Sequence, residues 1–150
     1  MANNVNSNYS LSERIFLELV LSEIEDDSIR TYIANLIRKS NVKKREHNDG
    51  YEMYLDFEAL SEHGDNEIRD RNIPILFSAD FDFEQLDDAA FFMLYLTEDR
   101  KNLNFLEVSM CFDHFNEEVM ALSILEYLLS NKQPNHRANS WISHTLPKAT

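Results

Sequence analysis

Acidic residues spaced two apart are the strongest candidates for chemistry in this chain. Asp80, Asp82 and Glu84 alternate with Phe81 and Phe83 in the segment 75–84. In a β-strand, residues i and i+2 project from the same face at a separation of about 6.6–6.8 Å, twice the rise per residue. Carboxylates held that close repel one another, and a basic partner relieves the repulsion. The spacing therefore predicts a surface that binds a basic protein.

The same carboxylates could instead hold a metal or serve catalysis. Hard cations prefer oxygen ligands, but Mg²⁺ needs them at about 2.0–2.1 Å, so ligands from other elements would be required. The segment also lacks the sixth-position glycine of an EF-hand loop. A glycosidase would need a sugar-binding cleft, which a sequence does not reveal. We therefore expect no catalytic residue, metal or cofactor, and a small metal-dependent hydrolase is kept as an alternative.

Other reactive residues do not assemble into a known motif. Cys111 and His114 have the spacing of one zinc-ligand pair, but a second pair is needed to specify zinc. The chain contains no P-loop, GxGxxG, HExxH or nucleophile elbow. These observations disfavour nucleotide enzymology and histidine chemistry.

Negative charge is concentrated in the middle of the chain. The formal net charge is −13. Residues 51–131 contain four bases and nineteen acids, a local charge of −15, whereas residues 132–150 contain three bases and no acid. This imbalance disfavours nucleic acid and anionic membranes as partners and favours a basic protein.

Composition and length predict one folded domain over residues 1–150. A hydrophobic fraction of 43% and an aromatic fraction of 11% are too high for a disordered acidic chain. Residues 1–9 and 132–150 are expected to be flexible or peripheral, and Trp141 fits either a fold-back anchor or a partner contact. The single cysteine and the absence of a signal segment or membrane span predict a soluble, cytoplasmic protein.

The elements that would position the carboxylates are three helices and three or four strands. Ser10 to Glu13 matches a capping box, and apolar residues at helical spacing predict helices near residues 10–25, 27–39 and 117–130. In the third helix, the stripe expected to cover the sheet comprises Ala121, Ile124, Leu125, Leu128 and Leu129. The segment from Lys43 to Gly50 is interpreted as an exposed turn.

Period-two alternation predicts the strands. Met53, Leu55 and Phe57 lie on one side of the first strand, and the strand 75–84 alternates in the same way. Residues 89–97 are apolar at both odd and even positions, which fits a strand covered on both faces or central in its sheet, although a helix is also possible. We predict an α+β fold with a mostly antiparallel sheet and the helices on one face. The outward carboxylates are the predicted partner-binding residues: Glu52, Asp56, Glu58, Asp80, Asp82, Glu84, Glu107 and Asp113.

In size, acidity and inferred layout, residues 10–131 resemble the small immunity proteins that bacteria make against their own toxins, including those of contact-dependent inhibition systems. The resemblance implies a cytoplasmic protein that neutralises a cognate basic toxin, often a nuclease. Immunity proteins share no signature from which individual residues can be transferred. A nucleic-acid mimic that inhibits a DNA-binding protein is a second alternative, and the oligomeric state is left open.

Overall fold

Three helices and six strands make up the fold in a computed structural model of the chain, which describes residues 8–48, 52–58, 75–82, 89–97, 100–110, 116–130 and 135–139. For residues 75–82, 89, 130 and 135–139, the description covers the backbone alone. The element order is α1 (Leu11–Ser22), α2 (Asp27–Lys39), β1 (Val42–Asn48), β2 (Glu52–Phe57), β3 (Ile75–Asp82), β4 (Ala89–Leu96), β5 (Leu103–Met110), α3 (Glu117–Ser130) and β6 (Asn135–Asn139).

Each helix begins where the sequence supplies a capping side chain. The Ser10 hydroxyl accepts a hydrogen bond from the Glu13 amide at 3.1 Å, and the Glu13 carboxylate accepts one from the Ser10 amide at 2.8 Å. Asp26 caps α2 and Asn116 caps α3 by accepting from amides in the first turn. These bonds satisfy amides that lack partners within the helix. The predicted helix starts are confirmed.

The six strands form one antiparallel sheet in the order β1-β2-β5-β4-β3-β6. The four predicted strands are its contiguous centre, β2-β5-β4-β3. Residues 89–96 form a strand rather than a helix, in agreement with their apolar character at both parities. The α+β class with an antiparallel sheet is confirmed.

Both edge strands were missed by the sequence reasoning. The exposed turn predicted for Lys43 to Gly50 is wrong over residues 43–48, which belong to β1 (Val42–Asn48), and no element was predicted where β6 lies at residues 135–139. Edge strands commonly carry charged residues because these residues discourage pairing with another chain. Such strands lack the alternation of apolar residues that reveals a half-buried strand.

The side chain of Asn8 closes part of the β1 edge. Its Oδ1 accepts from the Val42 amide at 2.7 Å, and its Nδ2 donates to the Val42 carbonyl at 3.2 Å. This two-point contact copies the way in which a neighbouring strand would bind one residue. Residue 8, predicted to lie in a flexible or peripheral terminus, is therefore bonded to the sheet edge.

The described helices pack on one face of the sheet. Met53, Leu55 and Phe57 on β2 and Leu106, Val108 and Met110 on β5 are buried there, as their alternation predicted. Phe16 of α1 contacts Phe92 of β4 edge to face, with ring centroids 5.9 Å apart. Buried residues of all three helices belong to the same core cluster.

The predicted inward stripe of α3 is wrong at two positions. Ala121 and Ile124 are buried, but 37% of Leu125 and 76% of Leu129 are exposed. Met120 is instead buried among the core residues. Because α3 has apolar residues on two sides, more than one stripe fits the helical period, and packing decides which stripe faces the sheet.

An ion pair between the buried Glu13 and the exposed Arg45 links α1 to β1. Glu13 is only 2% exposed, and its two carboxylate oxygens accept from Arg45 Nε at 2.6 Å and Arg45 Nη2 at 2.9 Å. Arg45 also donates to the Asn8 carbonyl at 2.8 Å. Its hydrogen bonds with Glu13 raise the pKa of the Arg45 guanidinium. One carboxylate therefore caps α1, binds the edge strand and orients the chain before the helix.

We expect Glu13→Ala to lower the free energy of unfolding by about 2–3 kcal/mol, because it removes a charge-assisted pair and leaves polar groups without their partner. Urea denaturation measures the change. Glu18→Ala is the matched control, since Glu18 is exposed on the same helix and a substitution there usually changes stability by at most about 0.5 kcal/mol. Equal effects of the two substitutions would contradict a structural role for the Glu13 pair.

The C-terminal half of α3 contacts the end of α1 through Tyr127. The Tyr127 hydroxyl donates to Glu23 Oε2 at 3.2 Å. Partial burial, followed by the nearby Glu23 charge, raises the pKa of Tyr127 from 10.0 to about 12. The folded protein therefore favours the neutral phenol, and this contribution to stability is lost as the pH rises from 10.0 through about 12.

We expect the stability of the wild type to fall more steeply than that of Tyr127→Phe over this alkaline interval. The phenylalanine variant cannot form the phenolate that the folded state disfavours. Urea midpoints measured below and above the interval provide the comparison, and the difference between the two proteins cancels the titration of other groups. Parallel losses of stability would show that Tyr127 does not titrate as its surroundings indicate.

Candidate protein-binding face

The side of the sheet opposite the helices is the candidate site and is called the outer face here. The side chains assigned to it come from three adjacent strands, β2, β5 and β4, and those of Lys44, Glu46 and Asn48 on β1 lie beside them on the same side. Antiparallel register places Tyr54 opposite Glu107, and Glu107 opposite Met93. The outer face comprises Glu52, Tyr54, Asp56, Phe91, Met93, Tyr95, Phe105, Glu107 and Ser109.

Three of the predicted partner-binding carboxylates lie on the outer face. Glu52, Asp56 and Glu107 are partly exposed and alternate with buried core residues, as the period-two pattern predicted. Glu58 follows β2 and is exposed. Its amide donates to the Asn41 carbonyl at 2.9 Å, which extends the pairing of β1 with β2.

Of the four remaining predicted carboxylates, the structure describes the backbone of two and nothing of the other two. The backbone of Asp80 is paired with Phe91 on one side and Arg137 on the other, and that of Asp82 with Ala89 and Asn135. The side chains of Asp80 and Asp82 lie outside the described part of the structure, as do Glu84 and Asp113 entirely. The prediction that these four residues contribute to the acidic surface stays a prediction.

An aromatic cluster lies between the carboxylates of the outer face. Phe105 stacks on Tyr95 with ring centroids 4.1 Å apart and an interplanar angle of 19°, and its ring centroid is 6.0 Å from that of Tyr54. Although no described helix covers this side, only 4% of Phe105 is exposed. Phe105 therefore forms a packed aromatic cluster with Tyr95 and Tyr54 on the outer face.

Tyr95 joins the aromatic cluster to the acidic residues. Partial burial, and to a smaller extent the charge of Glu107, raise the pKa of the Tyr95 hydroxyl. That hydroxyl lies 3.7 Å from the sulfur of Met93. The centre of the outer face thus combines a polarisable apolar surface with a negative potential.

Cationic residues border the outer face at the β1 edge. Register places Lys44 opposite Asp56, and the Lys44 ammonium lies 3.2 Å from Glu46 Oε1. The alternation of carboxylates alone suggests a uniformly acidic surface, but its border at β1 also carries a positive charge. Lys44 and Glu46 have opposite charges and together add no net charge at this border.

The aromatic part of the site was not identified from the sequence. Phe105 and Glu107 are two residues apart and therefore share a side of their strand, and Tyr95 likewise shares a side with Phe91 and Met93. Residues 89–97 are apolar at both odd and even positions, and this was the available signal that a second side of the sheet carries aromatic residues. That signal predicts a strand covered on both faces or central in its sheet, or a helix, and does not by itself identify an aromatic cluster.

The described carboxylates and aromatic rings of the outer face are chemically suited to contact cationic side chains. Carboxylates accept forked hydrogen bonds from arginine, and tyrosine and phenylalanine rings attract cations through their faces. Among the described residues, no group of three or more His, Cys, Asp or Glu side chains could hold a metal ion.

The comparison with known proteins assigns no role to the outer face. No family model, curated protein or solved structure matches the chain. Within the part of the chain that the structure describes, no helix has the length and apolarity needed to cross a membrane.

We expect Phe105→Ala to lower the free energy of unfolding by about 3 kcal/mol, a typical cost for deleting a buried phenylalanine side chain. Chemical denaturation provides the measurement. Tyr95→Phe is the conservative control, because it keeps the stacked ring and removes only the hydroxyl. A cost for Phe105→Ala as small as that of Leu122→Ala, at a position that is 66% exposed, would show that the cluster does not stabilise the sheet.

Proposed function

We propose that this protein binds and neutralises a basic protein through the outer face of its sheet, as an immunity-type inhibitor of a toxin domain. One observation carries the proposal: the described helices leave one side of the sheet available, and that side combines Glu52, Asp56 and Glu107 with an aromatic cluster. The proposed partner presents arginine and lysine side chains to this surface.

The surface composition supports a protein partner with exposed arginines. Tyrosine is enriched at protein interfaces because it provides a large, rigid contact area and a polar end. Tyr54 and Tyr95 flank the buried ring of Phe105, so their positions are restricted before any partner arrives. Less conformational entropy is then lost on binding, which favours affinity.

The overall charge supports the same choice of partner. A net charge of −13 repels nucleic acid and anionic lipids at a distance and attracts a cationic protein. Electrostatic attraction can raise association rates to about 10⁸–10⁹ M⁻¹s⁻¹, which suits an inhibitor that must bind its target before damage occurs. Occupation of the anion-binding surface of a toxin, for example that of a nuclease, would block access of its substrate.

The cytoplasm is the proposed location of this inhibition. The chain has a single cysteine, so its fold does not depend on an oxidising compartment. An immunity protein acts in the compartment that holds its producer's own targets. In this proposal the protein is a stoichiometric binder and not an enzyme, and it needs no cofactor.

We expect Glu52→Gln combined with Glu107→Gln to weaken binding of the basic partner at least about tenfold and to flatten its dependence on salt, as loss of charge pairs at an interface does. The partner would be isolated by affinity capture from the native cells and then purified for calorimetric titration. Loss of protection in cells that express the partner would provide the functional readout.

A matched variant separates a local effect from a change in net charge. Glu18→Gln combined with Glu25→Gln removes two charges from exposed positions on the helical side of the chain. The proposal requires this control to retain nearly all of the affinity and protection. If both double variants weaken binding equally, the outer face is not the interface.

A further inference from the structure

The outward side of α3 exposes a row of large apolar residues. Val119 is 39% exposed, Leu122 66%, Leu125 37% and Leu129 76%. They recur at intervals of three or four residues and therefore lie on one side of the helix. With a rise of 1.5 Å per residue, the row extends about 15 Å along the helix axis, nearly three turns. We call these four residues the α3 row.

The α3 row is distinct from the side of α3 that packs on the core. Met120, Ala121 and Ile124 are buried beneath the helix, and Leu128 is partly buried with them. A helix that covers a sheet normally places polar residues on its other side. Here leucines lie on both sides, so the core does not explain the outward row.

Charge identifies the kind of partner that fits the α3 row. The sequence of α3 contains Glu117, Glu118 and Glu126 but no lysine or arginine. Glu118 and Glu126 are exposed alongside the leucines. An apolar row whose own helix adds glutamates and no lysine or arginine is complementary to a helix that carries leucines on one side and lysines or arginines beside them.

We propose that the α3 row binds a basic amphipathic helix of a partner protein. The apolar side of that helix packs on Leu122, Leu125 and Leu129, while its flanking cations lie near the glutamates. Self-association through the same row would place the glutamates of two α3 helices close to each other. It would also join two copies of the chain that each carry a charge of −13. Repulsion therefore favours a cationic partner over a second copy.

This binding surface is separate from the outer face. The helices lie on the opposite side of the sheet, as shown by the contacts of α1 with β4 and of Glu117 with His47 on β1. His47 is paired with the core residue Met53. The two surfaces can consequently be tested independently.

The test uses the full chain and a synthetic helical peptide made of leucine and lysine, with leucines at positions i, i+3, i+4 and i+7. A peptide of the same composition in scrambled order controls for charge attraction alone, and a leucine–glutamate peptide with the same pattern controls for apolar contact. Calorimetric titration should show 1:1 binding of the leucine–lysine peptide that weakens as salt is added, and much weaker binding of both controls.

Matched substitutions locate the binding. We expect Leu122→Ser combined with Leu129→Ser to weaken the peptide at least about tenfold, because two leucine contacts are lost. Leu129→Ser alone is compared with Leu11→Ser, since these leucines are 76% and 75% exposed and both lie on helices. Only Leu129→Ser should weaken binding, and circular dichroism should show that every variant keeps its helices.

Several results would overturn the proposal. Equal binding of the ordered and scrambled peptides, or equal effects of Leu129→Ser and Leu11→Ser, would mean that the α3 row is not the contact. A wild-type dimer that dissociates in the double leucine variant would assign the row to a second copy. A change in the fluorescence of Trp141, the sole tryptophan, on making that variant without peptide would assign it to the chain's own C-terminal segment.

The two proposed surfaces can fail separately. The variant with Glu52→Gln and Glu107→Gln should bind the peptide as tightly as the wild type does, because Glu52 and Glu107 lie on the side of the sheet opposite the helices. Loss of peptide binding in the outer-face variant alone would place the peptide on the sheet and overturn the α3 proposal, while leaving the proposed function standing.

Discussion

The buried carboxylate of Glu13 is the constraint on which the arrangement of layers depends. A carboxylate with 2% exposure must be fully hydrogen-bonded, and Glu13 meets this requirement only when Ser10, Arg45 and the start of α1 are all in place. Arg45 belongs to the edge strand and also binds the carbonyl of residue 8. One charge thereby ties the first helix, the N-terminal approach and β1 into a single arrangement.

That arrangement makes the two sides of the sheet chemically different. On one side, α1 and its neighbours cover an aliphatic and aromatic core, with Arg45 and His47 reaching the helix ends. On the other side, where no described helix lies, Phe105 packs against Tyr95 and Tyr54. A partner can approach that second side without displacing any described helix. The proposed mode of inhibition follows from this asymmetry, because a rigid aromatic centre with carboxylates around it is suited to capturing arginine side chains.

The two proposed binding surfaces of this acidic protein lie apart from each other. The outer face and the α3 row lie on opposite sides of the sheet, and both combine apolar side chains with glutamates. Apolar contact supplies close packing, and the surrounding negative charge selects cationic partners and repels other copies of the chain. Two contacts to one partner, or contacts to two partners, are both compatible with such a layout. In both proposals, the acidity that disfavours contact between two copies also favours a basic ligand.

By itself, the sequence determined the helix starts, the four central strands and the inward positions of β2 and β5. These depend on local rules: a capping side chain satisfies nearby amides, and alternation reports which side of a strand is buried. Only the tertiary structure decided the rest. The edge strands β1 and β6 are stabilised by pairing and not by an apolar pattern, and Phe105 became part of a surface cluster through residues on two other strands. Likewise, α3 offers two apolar sides, and the shape of the core selects one of them. Such outcomes depend on contacts between residues distant in sequence, which local periodicity does not encode.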